Sequence, residues 1–435
     1  MKDSIRFIHC SDIHLGANPY QIKERFDDMG KVFKDVVDYA LTLEDLDFFV
    51  IGGDLFHKKN LNAETLDQCM ETLKPLNDKN IPIYVTEGNH DKSNIIHNYS
   101  WLEFLSKKRI ITLLNPYSED KETIASEIVP FDEETGLGTF VEKDDYIIYG
   151  LGYPGVLSAE HVERLTEGFK EGTDDKVRVA ILHTGVEKFC TEDMGGIKLD
   201  DAKILSDKVD YIALGHIHDE YHSDEGKFYN PGSLETSSLK GTSIPKGFYD
   251  VTINKETKEV KTKFVEVIGR KILNVNVDIS KCKTEDEAKD EILNTVKDAV
   301  SVSKLTNEEK AIIRVKVKGE TSGALVVDLN EIKNEIKAEY DLLFCEVVNA
   351  LTSSSVSIDI EDETLSREDF EKKALEKLIE QNITSDADSL DILNITQVMM
   401  RIVKEELGDF SGDDGIALKN QIFDYVRNSK KSKEE

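Results

Sequence analysis

Between residue 5 and about residue 268 the sequence alternates short β-rich apolar runs with stretches of helical periodicity, and that alternation leaves few architectures open. The runs are IRFIHC, DFFVIGG, IPIYVTE, DYIIYGLG, VRVAILHTG and DYIALGHIH. Segments between them, such as Phe33 to Leu43 and Ala63 to Leu76, repeat their apolar residues at helical spacing. Strands interleaved with helices imply a layered α/β sheet whose functional residues lie beyond the carboxyl ends of its strands. GFYDVTIN and EVKTKFVEV then read as a hairpin closing the region.

The strand ends repeat one chemistry. IRFIHC is followed by Asp12 and His14, DFFVIGG by Asp54 and His57, IPIYV by the tetrad GNHD with Asn89 and His90, VRVAIL by His183, and DYIALG by His216 and His218. The chain has ten histidines, and His14, His57, His90, His183, His216 and His218 all fall at these ends, which makes coincidence a poor explanation. Taken singly, each motif has a plain structural reading: Asp12 as a helix cap, Asp54 as a strand-end carboxylate, His183 as a satisfied core histidine. His216 and His218 are stronger, since alternation puts both imidazoles on one face, where a metal can use both.

Asp12, His14, Asp54, Asn89, His183, His216 and His218 offer more ligands than one tetrahedral ion accepts, so two ions are expected. Imidazole, carboxylate and amide without thiolate suit Mn²⁺, Fe or Zn²⁺. Asp54, central in chain order, is the natural bridge between a pair able to clamp a phosphoryl group and activate water. His90, beside Asn89, is then placed to face substrate and stabilise developing charge or protonate the leaving oxygen.

Composition bounds the remaining choices. The 435 residues predict two or three domains. Five scattered cysteines without C-x-x-C spacing argue for a reducing cytoplasm, and against a disulfide framework or structural zinc. The opening MKDSIRFIHCSD has no apolar core of the kind a secretory signal needs, and no stretch approaches a membrane span. A net charge of −31 argues against a broad nucleic-acid surface while leaving room for a local basic groove or a basic partner.

Past Lys271 the pattern changes. ILNVNVDI alternates strictly and is followed by a helix (Glu285 to Val300), the strand AIIRVKVKG, a helix (Leu329 to Tyr340) and the strand LLFCEVVNA, predicting a compact α+β module. The expected divisions are a core over 1–268, the module over 269–351, a Ser-rich linker over 352–365 and a helical element over 366–430. In that element Phe370, Ala374, Leu375, Leu378 and Ile379 form one stripe, and Ile392, Ile395, Val398, Met399, Ile402 and Val403 another. Its helices either dock a partner or pack back on the chain.

The series Asp-x-His, Gly-Asp, GNHD, His and Gly-His-x-His is complete and resembles that of the calcineurin-like binuclear metallophosphoesterases. More narrowly, GDLFH and the later NPGS (Asn230 to Ser233) are similar to the SbcD / meiotic-recombination-eleven nucleases of double-strand break repair, as is the order of domains. The resemblance implies a helix-flanked layered β-sandwich with a cap domain for DNA. It implies Asp12, His14, Asp54 and His218 around one metal, and Asp54, Asn89, His183 and His216 around the other. It further implies His90 as the transition-state histidine, His57 as an active-site residue affecting cleavage, and two Mn²⁺ ions per subunit. Exonuclease and endonuclease activity on DNA ends, a homodimer, a cytoplasmic or nucleoid location and a coiled-coil ATPase partner of the SbcC / Rad-fifty type complete the expectation. Candidate phosphate contacts are Lys58, Lys59, Lys107, Lys108 and Arg109, together with Arg314, Lys316 and Lys318 on one strand face; each reads equally as a solvated face. The competing readings are a phosphatase or cyclic-nucleotide phosphodiesterase with the same core, and a scaffold that has lost catalysis.

Overall fold

The computed structural model describes residues 2–92, 99–116, 128–153, 158–189, 196–236, 239, 244–303, 305, 310–321 and 327–353. The chain divides into two units, Met1–Lys271 and Ile272–Glu435. The first begins with β1 (Ser4–Cys10), α1 (Lys23–Leu41), β2 (Phe48–Ile51), α2 (Ala63–Asp78), β3 (Ile83–Val85), α3 (Trp101–Lys107) and β4 (Thr112–Leu113). It continues with β5 (Phe140–Glu142), β6 (Tyr146–Gly150), α4 (Ser158–Glu167), β7 (Val177–His183), α5 (Leu199–Ser206), β8 (Tyr211–Gly215), β9 (Tyr221–Ser223) and β10 (Phe228–Asn230). The hairpin of β11 (Gly247–Asn254) and β12 (Val260–Glu266) closes it.

These strands form two six-stranded sheets, ordered β12-β11-β1-β2-β3-β4 and β5-β6-β7-β8-β10-β9. Within them β1 to β4 run parallel, as do β6, β7, β8 and β10, so one edge collects their carboxyl ends. The sheets face each other across a core rich in aromatic rings. Phe7 stacks on Phe48 at 4.7 Å, Tyr211 on Tyr229 at 4.5 Å, and Phe7 meets the Tyr211 edge at 5.2 Å. α1, α2 and α3 cover the outer face of the first sheet; α4 and α5 cover that of the second. In β2 all four residues are buried, Phe48 and Val50 towards the second sheet, Phe49 and Ile51 towards the helices. A strand covered on both faces has no reason to alternate, hence the continuous apolar run.

α1 starts well before Phe33. Phe26 and Met29 continue its buried stripe, which polar neighbours obscure in the sequence. Arg25, 1% exposed, binds Asp28 through Nη1 at 2.7 Å, and through Nη2 Glu235 at 3.3 Å and the Thr236 carbonyl at 2.5 Å. Arg270 adds two bonds to Asp28, at 2.6 and 2.7 Å. The network ties the start of α1 to the segment after NPGS and to the end of the unit.

In the second unit β13 (Ile272–Asp278), α6 (Glu285–Ser303), β14 (Ile312–Thr321), α7 (Leu329–Glu339) and β15 (Phe344–Ser353) follow in order. All three strands are parallel, so the module is a β-α-β-α-β unit rather than the expected α+β. The strict alternation of ILNVNVDI reflects a parallel sheet whose described helices lie on one face. β15 extends through Ser353, past the expected start of the linker, because β14 is long enough to pair with Thr352 and Ser353. The rest of the linker and the helical element lie outside the described residues. Among the described residues no helix is long and apolar enough to cross a membrane, and Cys10, Cys69, Cys282 and Cys345 are free.

The Arg25 network generates a stability test. Asp28→Ala removes the carboxylate shared by Arg25 and Arg270 at a buried site and is expected to cost about 3–5 kcal/mol in denaturant unfolding. Lys31→Ala, which breaks only the exposed pair with Asp35, should change stability by under about 1 kcal/mol. Equal effects of the two substitutions would refute the assignment.

Candidate metal centre

The loops after β1 and β2 run side by side at the shared carboxyl edge. Asp12 N–H donates to Gly53 O at 3.1 Å, His14 N–H to Asp54 O at 3.0 Å and Leu15 N–H to Leu55 O at 2.9 Å. Four candidate ligands adopt left-handed backbone: Asp12 (φ 51°), His14 (φ 52°), Asp54 (φ 51°) and His216 (φ 83°). Residues of this kind cost of order 1–3 kcal/mol each and persist where surrounding contacts over-determine them.

Side chains from both sheets converge there. His14 Nε2 lies 3.0 Å from His218 Nε2, 4.0 Å from Asp12 Oδ1 and 3.8 Å from Asp54 Oδ2. Beside this group, Asn89 Oδ1 sits 3.2 Å from His183 Nε2 and 3.0 Å from His216 Nδ1, while Asp54 Oδ2 is 3.4 Å from His183 Nε2. Asp12 also accepts the His216 N–H at 3.2 and 3.0 Å. Asp12, His14, Asp54 and His183 are almost fully buried, whereas Asn89, His216 and His218 are half-buried. All seven expected ligands are brought together.

The electrostatics reflect that crowding. Burial works against a charged His183, but Asp54 outweighs it and carries the imidazole up to about 9. Burial likewise opposes ionisation of Asp54, yet His183 and His14 hold its carboxyl well below the usual range. Burial pushes His14 well down, and Nδ1 of His14 and of His57 are buried without a hydrogen-bond partner. Protein groups alone therefore leave the cluster unsatisfied. Its donor set, with Asp54 facing both groups, fits two divalent cations.

His90 and His57 stand at the rim. His90 N–H donates to Asp54 Oδ1 at 2.9 Å, and its Nδ1 donates to the His57 carbonyl at 2.8 Å, leaving Nε2 available. The two rings stack at 5.4 Å, and ring nitrogens of His14, His57 and His90 lie within 4.8 Å of one another. Burial lowers His57, with His90 adding to the effect.

The sequence reading did not assign Asp91 to the site. Buried at 5% exposure, its carboxylate accepts N–H bonds from Leu55 (3.2 Å), Phe56 (2.9 Å) and Gly88 (3.1 Å), binding the β2 loop to the β3 loop. Burial and the nearby Asp54 raise it to about 7. Tyr153 was also missed; its ring packs 5.3 Å from His216 and 6.0 Å from His183. Only the GNHD quartet carried a signal for Asp91, and nothing singled out Tyr153.

The basic candidates scatter. Lys58 and Lys59 are exposed just after His57, and Lys58 lines a 430 Å³ cleft with Leu15, Lys23 and Glu64. Lys107, Lys108 and Arg109 precede β4, at the edge of the sheet away from the centre, and Arg109 lies 3.7 Å from Glu133. In the second unit Arg314 is held by Glu346 at 2.7 Å, while Lys316 and Lys318 are exposed.

A profile of the calcineurin-like phosphoesterase family matches residues 5–220. Among curated relatives, the DNA double-strand break repair protein Mre11 of Archaeoglobus fulgidus is 29% identical over 328 residues, covering 71% of this chain and 70% of that protein. The protein of the same name from Saccharolobus solfataricus is 25% identical over 73% of this chain and 76% of its own length. That of Sulfurisphaera tokodaii is 23% identical over 95% of this chain and 99% of its own length.

The tight loop packing yields a test through Gly88. A Cβ there would lie 2.0 Å from Asp54 Oδ1 and 2.5 Å from Asp54 N. Gly88→Ala must therefore displace Asp54, and titration calorimetry with Mn²⁺ should show affinity weakened by at least about tenfold while circular dichroism stays unchanged. Undiminished affinity would mean that Asp54 is not held as described.

Proposed function

The chain belongs to the calcineurin-like phosphoesterases, and on that premise we propose that it is a divalent-metal-dependent nuclease processing DNA ends in double-strand break repair. Support for the DNA assignment comes from the relatives bearing the name of a double-strand break repair protein, one of them alignable over 95% of this chain. The single observation that carries the chemistry is the position of Asp54, whose Oδ2 lies 3.8 Å from His14 Nε2 and 3.4 Å from His183 Nε2. In this reading Asp12, His14, Asp54 and His218 hold one ion, and Asp54, Asn89, His183 and His216 the other, with Mn²⁺ the expected metal.

When bound, such a pair supplies the positive charge that draws in a phosphodiester and lowers the pKa of an attacking water. The chain's own residues do the rest. Asp54 bridges the two ligand groups and accepts the His90 N–H, so the carboxylate that spans the centre also orients the histidine. His90, its Nδ1 proton committed to the His57 carbonyl, presents Nε2 to stabilise charge on the phosphoryl oxygens or to protonate the leaving oxygen. His57 supports it by stacking. Lys58 and Lys59 are the rim cations nearest in sequence to His57, and phosphate contacts of this type carry no base information, so cutting should ignore sequence.

The β-α-β-α-β module, expected over 269–351 and carried by β15 to Ser353, serves in this proposal as a cap for DNA, with the rest of the expected 352–365 linker after it and 366–430 as the element that engages a coiled-coil ATPase of the SbcC / Rad-fifty type. The chain acts as a homodimer with both exonuclease and endonuclease modes.

Two substitutions separate chemistry from metal binding. His90→Ser should lower manganese-dependent cleavage of linear duplex DNA by about 10²–10⁴-fold while elemental analysis finds unchanged metal. Asp54→Ala should lose both ions along with cleavage. Parallel loss of metal in His90→Ser would make His90 a ligand instead, and hydrolysis of phosphomonoesters without DNA cleavage would favour a phosphatase. For the partner, deletion from Ser366 onward should spare cleavage and prevent copurification with the ATPase; retained copurification moves the interface elsewhere.

A further inference from the structure

The two ligand groups each draw on both sheets. Asp12 and His14 follow β1 and His218 follows β8; Asp54 and Asn89 follow β2 and β3, His183 ends β7, and His216 follows β8. Within the sandwich the sheets are kept apart largely by aromatic rings, whose stacked and edge-on contacts fix position less sharply than a hydrogen bond does. At the carboxyl edge they close to backbone contact. A Cβ on Gly215 would lie 2.1 Å from Ser11 Oγ and 2.3 Å from Gly52 O, and one on Gly52 would lie 2.8 Å from Leu214 O.

His9 occupies the step between these two regimes. It lies on β1 with no exposed surface and reaches across to β8, placing Nε2 3.0 Å from Leu214 O and Nδ1 2.9 Å from Tyr211 Oη. A carbonyl only accepts, so Nε2 donates; in the neutral ring Nδ1 then accepts the Tyr211 hydroxyl. Both hydrogen bonds cross from one sheet to the other. The strand bearing His9 emerges as Asp12 and His14, and the strand it grips emerges as His216 and His218. Unlike the Asp12 to His216 contact, this one uses no residue assigned to metal binding.

We propose that His9 is a positioning residue: its two bonds from β1 to β8 set the separation of the two halves of the metal centre. The inference rests on the metal-centre reading above. A directional bond is what apolar packing lacks, and its loss lets the β8 end shift against the β1 end. The effect falls on both ions, because each ligand group spans the sheets.

The experiment titrates Mn²⁺ into the full chain, counting free ion by its electron paramagnetic resonance signal, with thermal unfolding followed in parallel. The wild type should bind two ions. His9→Leu should bind them about 10–100-fold more weakly, the usual effect of losing a partner behind a metal ligand, while still unfolding cooperatively. His9→Gln keeps an amide N–H able to reach Leu214 O and should recover most of that loss, which a general packing defect would not. Tyr211→Phe, with almost no change in volume, should weaken binding several-fold and decides the matter if His9→Leu does not fold. Wild-type affinity in folded His9→Leu, or in Tyr211→Phe, overturns the positioning role alone. A wild-type chain that binds no pair of ions overturns the metal reading and this inference with it.

Discussion

The centre depends on the registration of two sheets whose strands, among the described residues, share no backbone ladder and meet only through the isolated bridge of Ser11 with Ser233. Asp12, His14, Asp54 and Asn89 come from one sheet; His183, His216 and His218 come from the other. A shift of an ångström between the sheets would spoil distances such as the 3.2 Å between Asn89 Oδ1 and His183 Nε2. Shape alone resists such sliding only weakly, so polar contacts near the edge matter beyond their number. His183 Nδ1 donating to Gly52 O at 2.8 Å, His216 N–H donating to Asp12, and the buried reach of His9 to β8 all cross the gap. Further along the interface Tyr84 and Tyr146 join their hydroxyls at 3.1 Å.

Assembling these ligands works against stability. Four non-glycine residues hold positive φ, two carboxylates lie almost fully buried, and two imidazole nitrogens are buried without partners. Such features are tolerated where surrounding structure over-determines them. The surroundings here are the paired β1 and β2 loops, the three N–H bonds accepted by Asp91, and α/β/β/α layers whose core residues are nearly all inaccessible. Divalent ions binding the folded chain alone would add stability by mass action, so folding and loading are coupled.

Much of this was legible in the sequence because the site obeys a rule of the fold. When strands run parallel their carboxyl ends share an edge, so motifs distant in the chain, such as Asp12-x-His14 and His216-x-His218, become neighbours. Side-chain type then marked the ligands. The illegible parts were those where residue type carries no positional signal. His9 sits inside the apolar run IRFIHC and looks like an interruption until the second sheet is laid over it. Asp91 only closes the GNHD quartet in the sequence, yet its bonds reach back to Leu55 and Phe56. The start of α1 was hidden because Arg25 and Asp28 are buried as partners rather than exposed as charges. In the second unit the alternation of ILNVNVDI marked the buried face with Val275 and Val277, but not the strand direction, which is set by pairing with β14.

The acidity of the chain is compatible with a polyanionic substrate once distance is considered. The excess of 86 acidic over 55 basic side chains is a property of the whole surface. At physiological ionic strength exposed charges are screened beyond about 8 Å, so a phosphate at the centre senses its near neighbours and little else. Those neighbours are unusual for so acidic a chain. The carboxylates of Asp12 and Asp54 are buried beneath imidazoles, Lys58 and Lys59 are exposed just beyond His57, and the Lys92 ammonium lies over the Tyr153 ring that packs on His216. Local polarity at the mouth is thus set against the net charge. Long-range attraction is forfeited while short-range recognition of a phosphate is kept.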